Sequence, residues 1–462
     1  MDITSTRWKQ KCCCYFVDLL RNYKVCGSLY IDEKLINIIS NIIKYSTLLS
    51  CGINNIKIID KTIEFVPKSG IILSHNSKDL FASLTISHNV KLFFYPKIPD
   101  FIINREYEIF DFGFIPIDID ILSLEDTNTL NMFGCNGCDT NQLTNYLLDV
   151  FNIYGYPSNI QADGNISNTI ANITINKTRF DVTNINWNIC EEYREQTFEN
   201  LIIVDRVNDW DNFFQIGSNY ESLLDYIYGI RQSRLLIDDN INNAMILNED
   251  VIFQEIKNEN FSSVGKILLD KIETIKKFYE DKNNLQTLSE FSDYISQISL
   301  YKQQHYSIEK HILICQYIQE NLSNHIFKNL IVSEIIPEIN IINDSINKIS
   351  NAELLKYICI TLQKNKTPYD KIKDLFDYLP TDDLECVLKK LSIGQKKISC
   401  CHKYKMVKTT NTNIMGNTIV FIIGGISYNE IFKIRQTYPK VLILTTNIWN
   451  ANIFYDAVMK FK

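Results

Sequence analysis

Cysteines, histidines and a few well-placed carboxylates are the residues of this chain that could do chemistry. Cys135-Asn136-Gly137-Cys138 has the spacing of a zinc knuckle or a redox dithiol, and Cys400-Cys401-His402 has the residue types to complete a four-ligand site. A structural zinc site needs two spaced pairs, and the second set is contiguous, so no metal is expected. Cys12-Cys13-Cys14 beside Lys9 and Lys11 has the composition of an acylation site, although unmodified thiols are the expectation. His75, His88, His305, His311, His325 and His402 show no triad order and no His-Glu-x-x-His helix, so each reads as a surface or core residue. Gly424-Gly425 follows an apolar run, where a phosphate loop would sit, but neither dinucleotide nor P-loop spacing accompanies it. The pair reads instead as a sharp turn off a sheet that lets a helix pack closely. Asp205 and Asp209, with Arg206 between them, end another apolar run, a place where α/β folds often put catalytic carboxylates. The favoured reading is an internal ion pair that pins the strand end.

The elements that must position these residues follow from periodicity. An amphipathic stretch around Tyr15, Phe16, Leu19 and Leu20 predicts a helix, and Ser28 to Asp32 predicts a strand. A helix from about Leu35 to Leu49 follows, then strands at Ile53–Ile59, Gly70–Leu73 and Val90–Tyr95, with a helix between the last two over Lys78–Ile86. Strands alternating with helices predict a mainly parallel sheet covered on both faces. The acidic segment Asp111 to Asp126, with Pro116, reads as an extended linker. Helical spacing returns over Asn141–Ile153, and Asn200–Asp205 is the clearest buried strand of the middle chain. From Glu221 to Lys408 the pattern is helical, and strands return at Thr418–Ile423 and Val441–Thr445, with a closing helix from about Asn450.

The chain has 462 residues, 45% hydrophobic and 22% charged, which predicts an ordinary globular protein of about three domains. Its 47 basic and 54 acidic residues leave a net charge of −7, which argues against nucleic acid as the default partner. Apolar runs are too short to span a bilayer, and the N-terminus lacks a secretory pattern, so a cytoplasmic protein with reduced thiols is expected.

Leu201-Ile202-Ile203-Val204-Asp205-Arg206-Val207-Asn208-Asp209, followed by Asn219-Tyr220-Glu221-Ser222-Leu223-Leu224-Asp225, resembles the signature of the SM proteins, the Sec/Munc-like cytosolic factors that bind SNAREs. A second stretch, Ile419 to Ile431 with Gly424-Gly425, Tyr428 and Glu430, is similar to the family's strand, Gly-Gly and Tyr/Phe-x-Glu-Ile close to the C-terminus. Ile115 to Glu125, Asn260 to Gly265 and Leu444-Thr445-Thr446-Asn447 resemble the family's vacuolar protein-sorting branch. Departures stand at Asn212-Phe213 and Gly217-Ser218-Asn219, and a late Tyr-x-x-Tyr-x-Pro-Leu stretch has no visible counterpart between Leu391 and Thr418.

The resemblance implies a fold of class α/β plus all-α insertion, an arch of two mainly parallel α/β domains and a helical domain. Residues 1–128 would form the N-terminal domain, 129–228 and 412–462 the central one, and 229–411 the helical insertion. Asp205, Arg206, Asp209, Tyr220, Glu221, Gly424, Gly425, Tyr428 and Glu430 would hold the central domain together and catalyse nothing. The working surface would be a hairpin of Ser263–Asp281 and Leu285–Gln303 joined at Lys282-Asn283-Asn284. On it Leu288, Phe291, Ile295 and Ile298 form an apolar stripe with Tyr294 and Tyr301 beside it, facing Val264, Leu268, Ile272 and Ile275. That stripe reads either as core packing or as a groove for amphipathic SNARE helices. The implied partners are SNAREs and tethering-complex subunits of the class C vacuolar sorting type, with no cofactor, no nucleic acid, and membrane contact only through partners at endosome or vacuole. The rival readings are a scaffold subunit without SNARE contact, and an enzyme binding a nucleotide or phosphate ester in the central α/β domain.

Overall fold

A computed structural model of the chain describes residues 3–22, 27–59, 70–75, 90–96, 106–126, 139–184, 198–206, 215–235, 244–282, 286–324, 349–364 and 416–460. The first sheet contains β1 (Gly27–Asp32), β2 (Ile53–Ile59), β3 (Gly70–Ser74), β4 (Val90–Phe94) and β5 (Glu108–Ile109) in the order β2-β1-β3-β4-β5, every pair parallel. Helix α1 (Thr6–Asn22) lies beside it and buries Trp8, Cys12, Phe16 and Leu20, one residue per turn. Cys12 is therefore the core member of the cysteine triple, and burial pushes its thiol up to about 12, which keeps it unreactive. Cys13 is half-buried and Cys14 exposed. The helix expected over Leu35–Leu49 is broken into α2 (Ile36–Ile42) and α3 (Tyr45–Ser50), because Ile43 turns extended and buries its side chain.

The second sheet contains β6 (Ile115–Asp118), β7 (Ile121–Ser123), β8 (Asn159–Asp163), β9 (Asn200–Asp205), β13 (Thr418–Ile423) and β14 (Val441–Thr445) in the order β6-β7-β14-β13-β9-β8. Only β6 and β7 pair antiparallel. The final strands thus enter the middle of a sheet begun more than two hundred residues earlier. Residues 111–126 are not the linker their acidity suggests. They supply two fully buried strands, and because β6 is the sheet edge, Pro116 costs no interior hydrogen bond. Division at residue 128 leaves β6 and β7 with the first domain, yet both pair into the second sheet.

Helices α4 (Thr140–Tyr154) and α5 (Asn165–Asn184) flank β8; this strand and α5 gave no sequence signal because β8 is a polar edge strand. After α6 (Tyr220–Tyr228) the chain is not helical throughout. Gly229 ends α6 at φ 79°, and β10 (Ile230–Arg231), β11 (Arg234–Leu235) and β12 (Met245–Ile246) form a small antiparallel sheet. Beyond it come α7 (Val251–Ile256), α8 (Phe261–Asp281), α9 (Leu288–Ser323) and α10 (Asn351–Lys364), and after β13 and β14 come α11 (Tyr428–Thr437) and α12 (Ala451–Lys460). One contiguous apolar core joins both sheets to the base of the helical region, running through Leu29, Phe114, Leu201, Phe421, Phe253 and Ile308. Among the described residues no helix is long and apolar enough to cross a membrane. The helix expected over Lys78–Ile86, Cys135, Cys138, Cys400-Cys401-His402 and Asp209 lie outside the described residues.

A buried ionic knot ties α6 to the turn between β6 and β7. Arg435 on α11 donates from Nε and Nη2 to Asp120 at 2.7 and 2.8 Å, from Nη2 to Asp118 at 3.2 Å, and from Nη1 to Glu221 at 2.6 Å. Lys257 adds a second cation on Asp118. Burial alone would lower the guanidinium's pKa, but the three carboxylates outweigh it and hold it well above its ordinary value. Burial likewise opposes charge on Asp120, yet Arg435 keeps that carboxyl below its usual range. Lysine keeps the charge but cannot reach three carboxylates with one planar fork, so Arg435→Lys is expected to cost about 2 kcal/mol in a denaturant titration. An unchanged midpoint would mean that the fork contributes nothing.

Candidate functional site

Five of the signature residues, Asp205, Arg206, Gly424, Gly425 and Glu430, form one latch at the carboxyl ends of β9 and β13. Asp205 accepts the backbone N–H of Ser167 at 3.0 Å and so caps the first turn of α5, and Gly164 is required beside it because a Cβ there would collide with the carboxylate. Arg206 turns away from Asp205. Its Nε donates to the Gly425 carbonyl at 2.9 Å and its Nη2 pairs with Glu430, both at the mouth of α11. Glu430 also closes a capping box with Ser427, accepting the Ser427 N–H at 3.0 Å. Gly424 and Gly425 hold φ of 101° and 94°, a region that disfavours any side chain. Gly424 N–H donates to Thr446 Oγ1 at 3.0 Å, and Trp449 Nε1 donates to the Gly424 carbonyl at 2.9 Å. A Cβ on Gly425 would overlap the indole. These groups are consumed in holding strand ends together. Among the described residues no group of three or more histidines, cysteines or acids is placed to hold a metal.

Helix α6 makes side-chain contacts to α9, α10, α11 and the cap of α12. Tyr220, its first residue, is fully buried, and its hydroxyl lies 2.8 Å from Nδ1 of His311 on α9. Glu221 enters the Arg435 knot, and Tyr226 donates to Glu353 on α10. Asp225 Oδ1 accepts the Ile230 N–H at 2.8 Å and the Asn450 side-chain amide at 3.0 Å, fixing the end of α6 to β10 and to the cap of α12. Burial, with the like charge of Glu221, pushes its carboxyl up to about 7 from an ordinary 3.8. The folded chain therefore holds a proton that the unfolded chain releases near pH 4. This contribution to stability is fully present below about pH 4 and is lost as pH rises through 7. Both hydrogen bonds reach a single oxygen, so an amide can accept them. Asp225→Asn is expected to raise stability at pH 8 by roughly 1–3 kcal/mol and to flatten the stability profile between pH 4 and 7. A variant with the wild-type profile would remove Asp225 as the titrating group.

The helical hairpin divides the residues expected to line a groove. Val264, Leu268 and Ile275 on α8 are buried and Ile272 half-buried, so that side of α8 is core. Tyr294 is also buried, and Ile298 half-buried. Phe278 lies between Tyr294 and Tyr301, ring centroids 4.6 and 3.8 Å apart and nearly parallel, which zips the two helices together. The start of α9 is fixed by a capping box between Thr287 and Glu290. Leu288, Phe291 and Ile295 point outward, at 90%, 42% and 65% exposure. The expected groove thus has one wall, the outer face of α9, and sequence reasoning stopped short of its far end. The helix runs to Ser323, and Tyr306, Leu313 and Tyr317 are exposed along it. Residues 288, 295, 306 and 313 fall within about 20° of one line at about 100° per residue, so the apolar positions form a ridge. Their spacing of 7, 11 and 7 was the signal available in the sequence.

The Sec1 family profile matches residues 28–411, and the chain belongs to this family. Among curated relatives, rat vacuolar protein sorting-associated protein 33A is 23% identical over 296 residues, covering 60% of this chain and 46% of the relative. The chain spans about half the length of the curated relatives it matches. Among solved structures, the SM protein Vps45 in complex with the Qa SNARE Tlg2 superposes with a TM-score of 0.61 at 14% identity, over 99% of this chain and 98% of that one. The Unc18–syntaxin 1 complex from Monosiga brevicollis gives 0.61 at 16% identity, over 97% and 98%. The fold is the arch-shaped SM fold, two mainly parallel α/β domains and a helical domain.

Proposed function

We propose that this protein is an SM-type regulator of vesicle transport that holds SNARE helices against α9 and promotes their assembly for membrane fusion. The observation that carries the reading is the exposed apolar ridge beginning at Leu288, Phe291 and Ile295, backed by a rigid, capped helix. Such a ridge suits an amphipathic helix that lays its apolar face along it. SNARE segments are disordered alone, so a surface that aligns one prepays part of the ordering entropy of zippering. Assembly would be accelerated with no bond made or broken, no cofactor and no nucleic acid. The fold relatives solved in complex with Tlg2 and syntaxin 1 support a SNARE as the partner class. The vacuolar sorting relatives support endosome or vacuole as the site, and membership of a class C tethering complex as the means of reaching those membranes.

Removing Phe291 and Ile295 from an apolar contact forfeits roughly 1.5–3 kcal/mol each. The double variant Phe291→Asp, Ile295→Asp is expected to weaken binding of a recombinant SNARE motif by at least tenfold while the melting temperature holds, since both side chains face solvent. Unchanged binding by the folded variant would take the ridge out of the mechanism.

A further inference from the structure

Helix α9 is a lever. Its outer half, 288–303, packs on α8 through the ring stack of Phe278, Tyr294 and Tyr301. Its inner half is bolted by one stripe of residues at successive turns: Ser307, His311 and Cys315. Ser307 donates to both oxygens of Asp250 at 2.6 and 2.8 Å, and Asp250 itself caps α7 through the Phe253 N–H at 2.8 Å. His311 is fully buried, lies parallel to the Phe253 ring, bonds the Tyr220 hydroxyl through Nδ1, and has Nε2 3.6 Å from Asp250. Cys315 follows one turn on, where burial pushes its thiol up to about 11 and the nearby Tyr220 hydroxyl lowers it in part. Leu288 lies 23 residues from His311, about 35 Å along a helix. A small tilt at the bolt therefore moves the far end of the ridge by a large arc.

We propose that Tyr220 and His311 are positioning residues that fix the rotation of α9, and hence the direction in which its apolar ridge faces, without touching the partner. Tyr220 is suited to this because the next residue, Glu221, is held in the Arg435 knot, so the bolt is referenced to the second sheet and not to a loop. A buried polar contact specifies one rotational setting where apolar packing alone tolerates several. The proposal rests on the reading of the ridge as a docking surface.

The test uses Tyr220→Phe, which keeps the ring and removes only the hydroxyl, in the full chain. Two readouts are taken: hydrogen exchange of residues 288–305 without partner, and affinity for a recombinant Qa-SNARE motif. Exchange over 288–305 is expected to quicken severalfold while β9 and β13 stay protected, and affinity is expected to fall about fivefold to tenfold. His311→Asn, whose amide reaches the place of Nδ1, is expected to retain near wild-type values in both, where His311→Leu does not. Unchanged exchange over 288–305 in a folded Tyr220→Phe protein overturns the positioning role, whatever happens to affinity. Quickened exchange with unchanged affinity overturns its link to binding. If Phe291→Asp also leaves affinity unchanged, the docking surface itself has failed, a result the exchange measurement distinguishes.

Discussion

Asp118, Asp120 and Glu221 are three carboxylates buried within reach of one another, and such a group is stable only around a cation that can answer all three. The Arg435 guanidinium does so with its planar fork, and Lys257 takes up a second bond to Asp118. The four segments involved are the β6–β7 turn, α6, the end of α7 and α11, which are separated by up to 317 residues. None can shift without stranding a charge in the interior. Helix α6 is thereby fixed in one pose, and through Tyr220 it passes that pose to α9. The surface on which function is proposed inherits its orientation from a buried ionic contact.

The central sheet was legible because strands covered on both faces must be continuously apolar. Asn200–Asp205, Thr418–Ile423 and Val441–Thr445 carry that mark and agree with the structure. Edge strands carry no such mark. The Asn-Ile-Gln-Ala-Asp stretch of β8 is half exposed, and β6 hides behind a proline and two acids that look like a linker. Those acids are ligands of Arg435, which no local pattern reveals. In the latch, the glycine pair and Asp-Arg were legible as structural elements. Their partners were not, since Arg206 meets Glu430 at a separation of 224 residues.

The hairpin shows the same limit from the other side. Helical periodicity marks Val264, Leu268 and Ile275 as one apolar stripe and Leu288, Phe291 and Ile295 as another, and both look alike in sequence. Only packing distinguishes them: the first is closed under neighbouring helices and the second is open to solvent. Exposed apolar side chains on a rigid helix carry a standing hydration cost, and a partner helix that covers them relieves it. The account of function depends on that asymmetry.

The most direct measurement is site-specific photocrosslinking, with a photoreactive residue placed in turn at Leu288, Ile295 and Leu313 along the ridge and at Lys276 on the exposed side of α8. With a recombinant SNARE motif added, crosslinks are expected at the three ridge positions, to partner residues spaced as one helix face, and not at Lys276. Equal crosslinking at all four positions, or none on the ridge, would contradict the account.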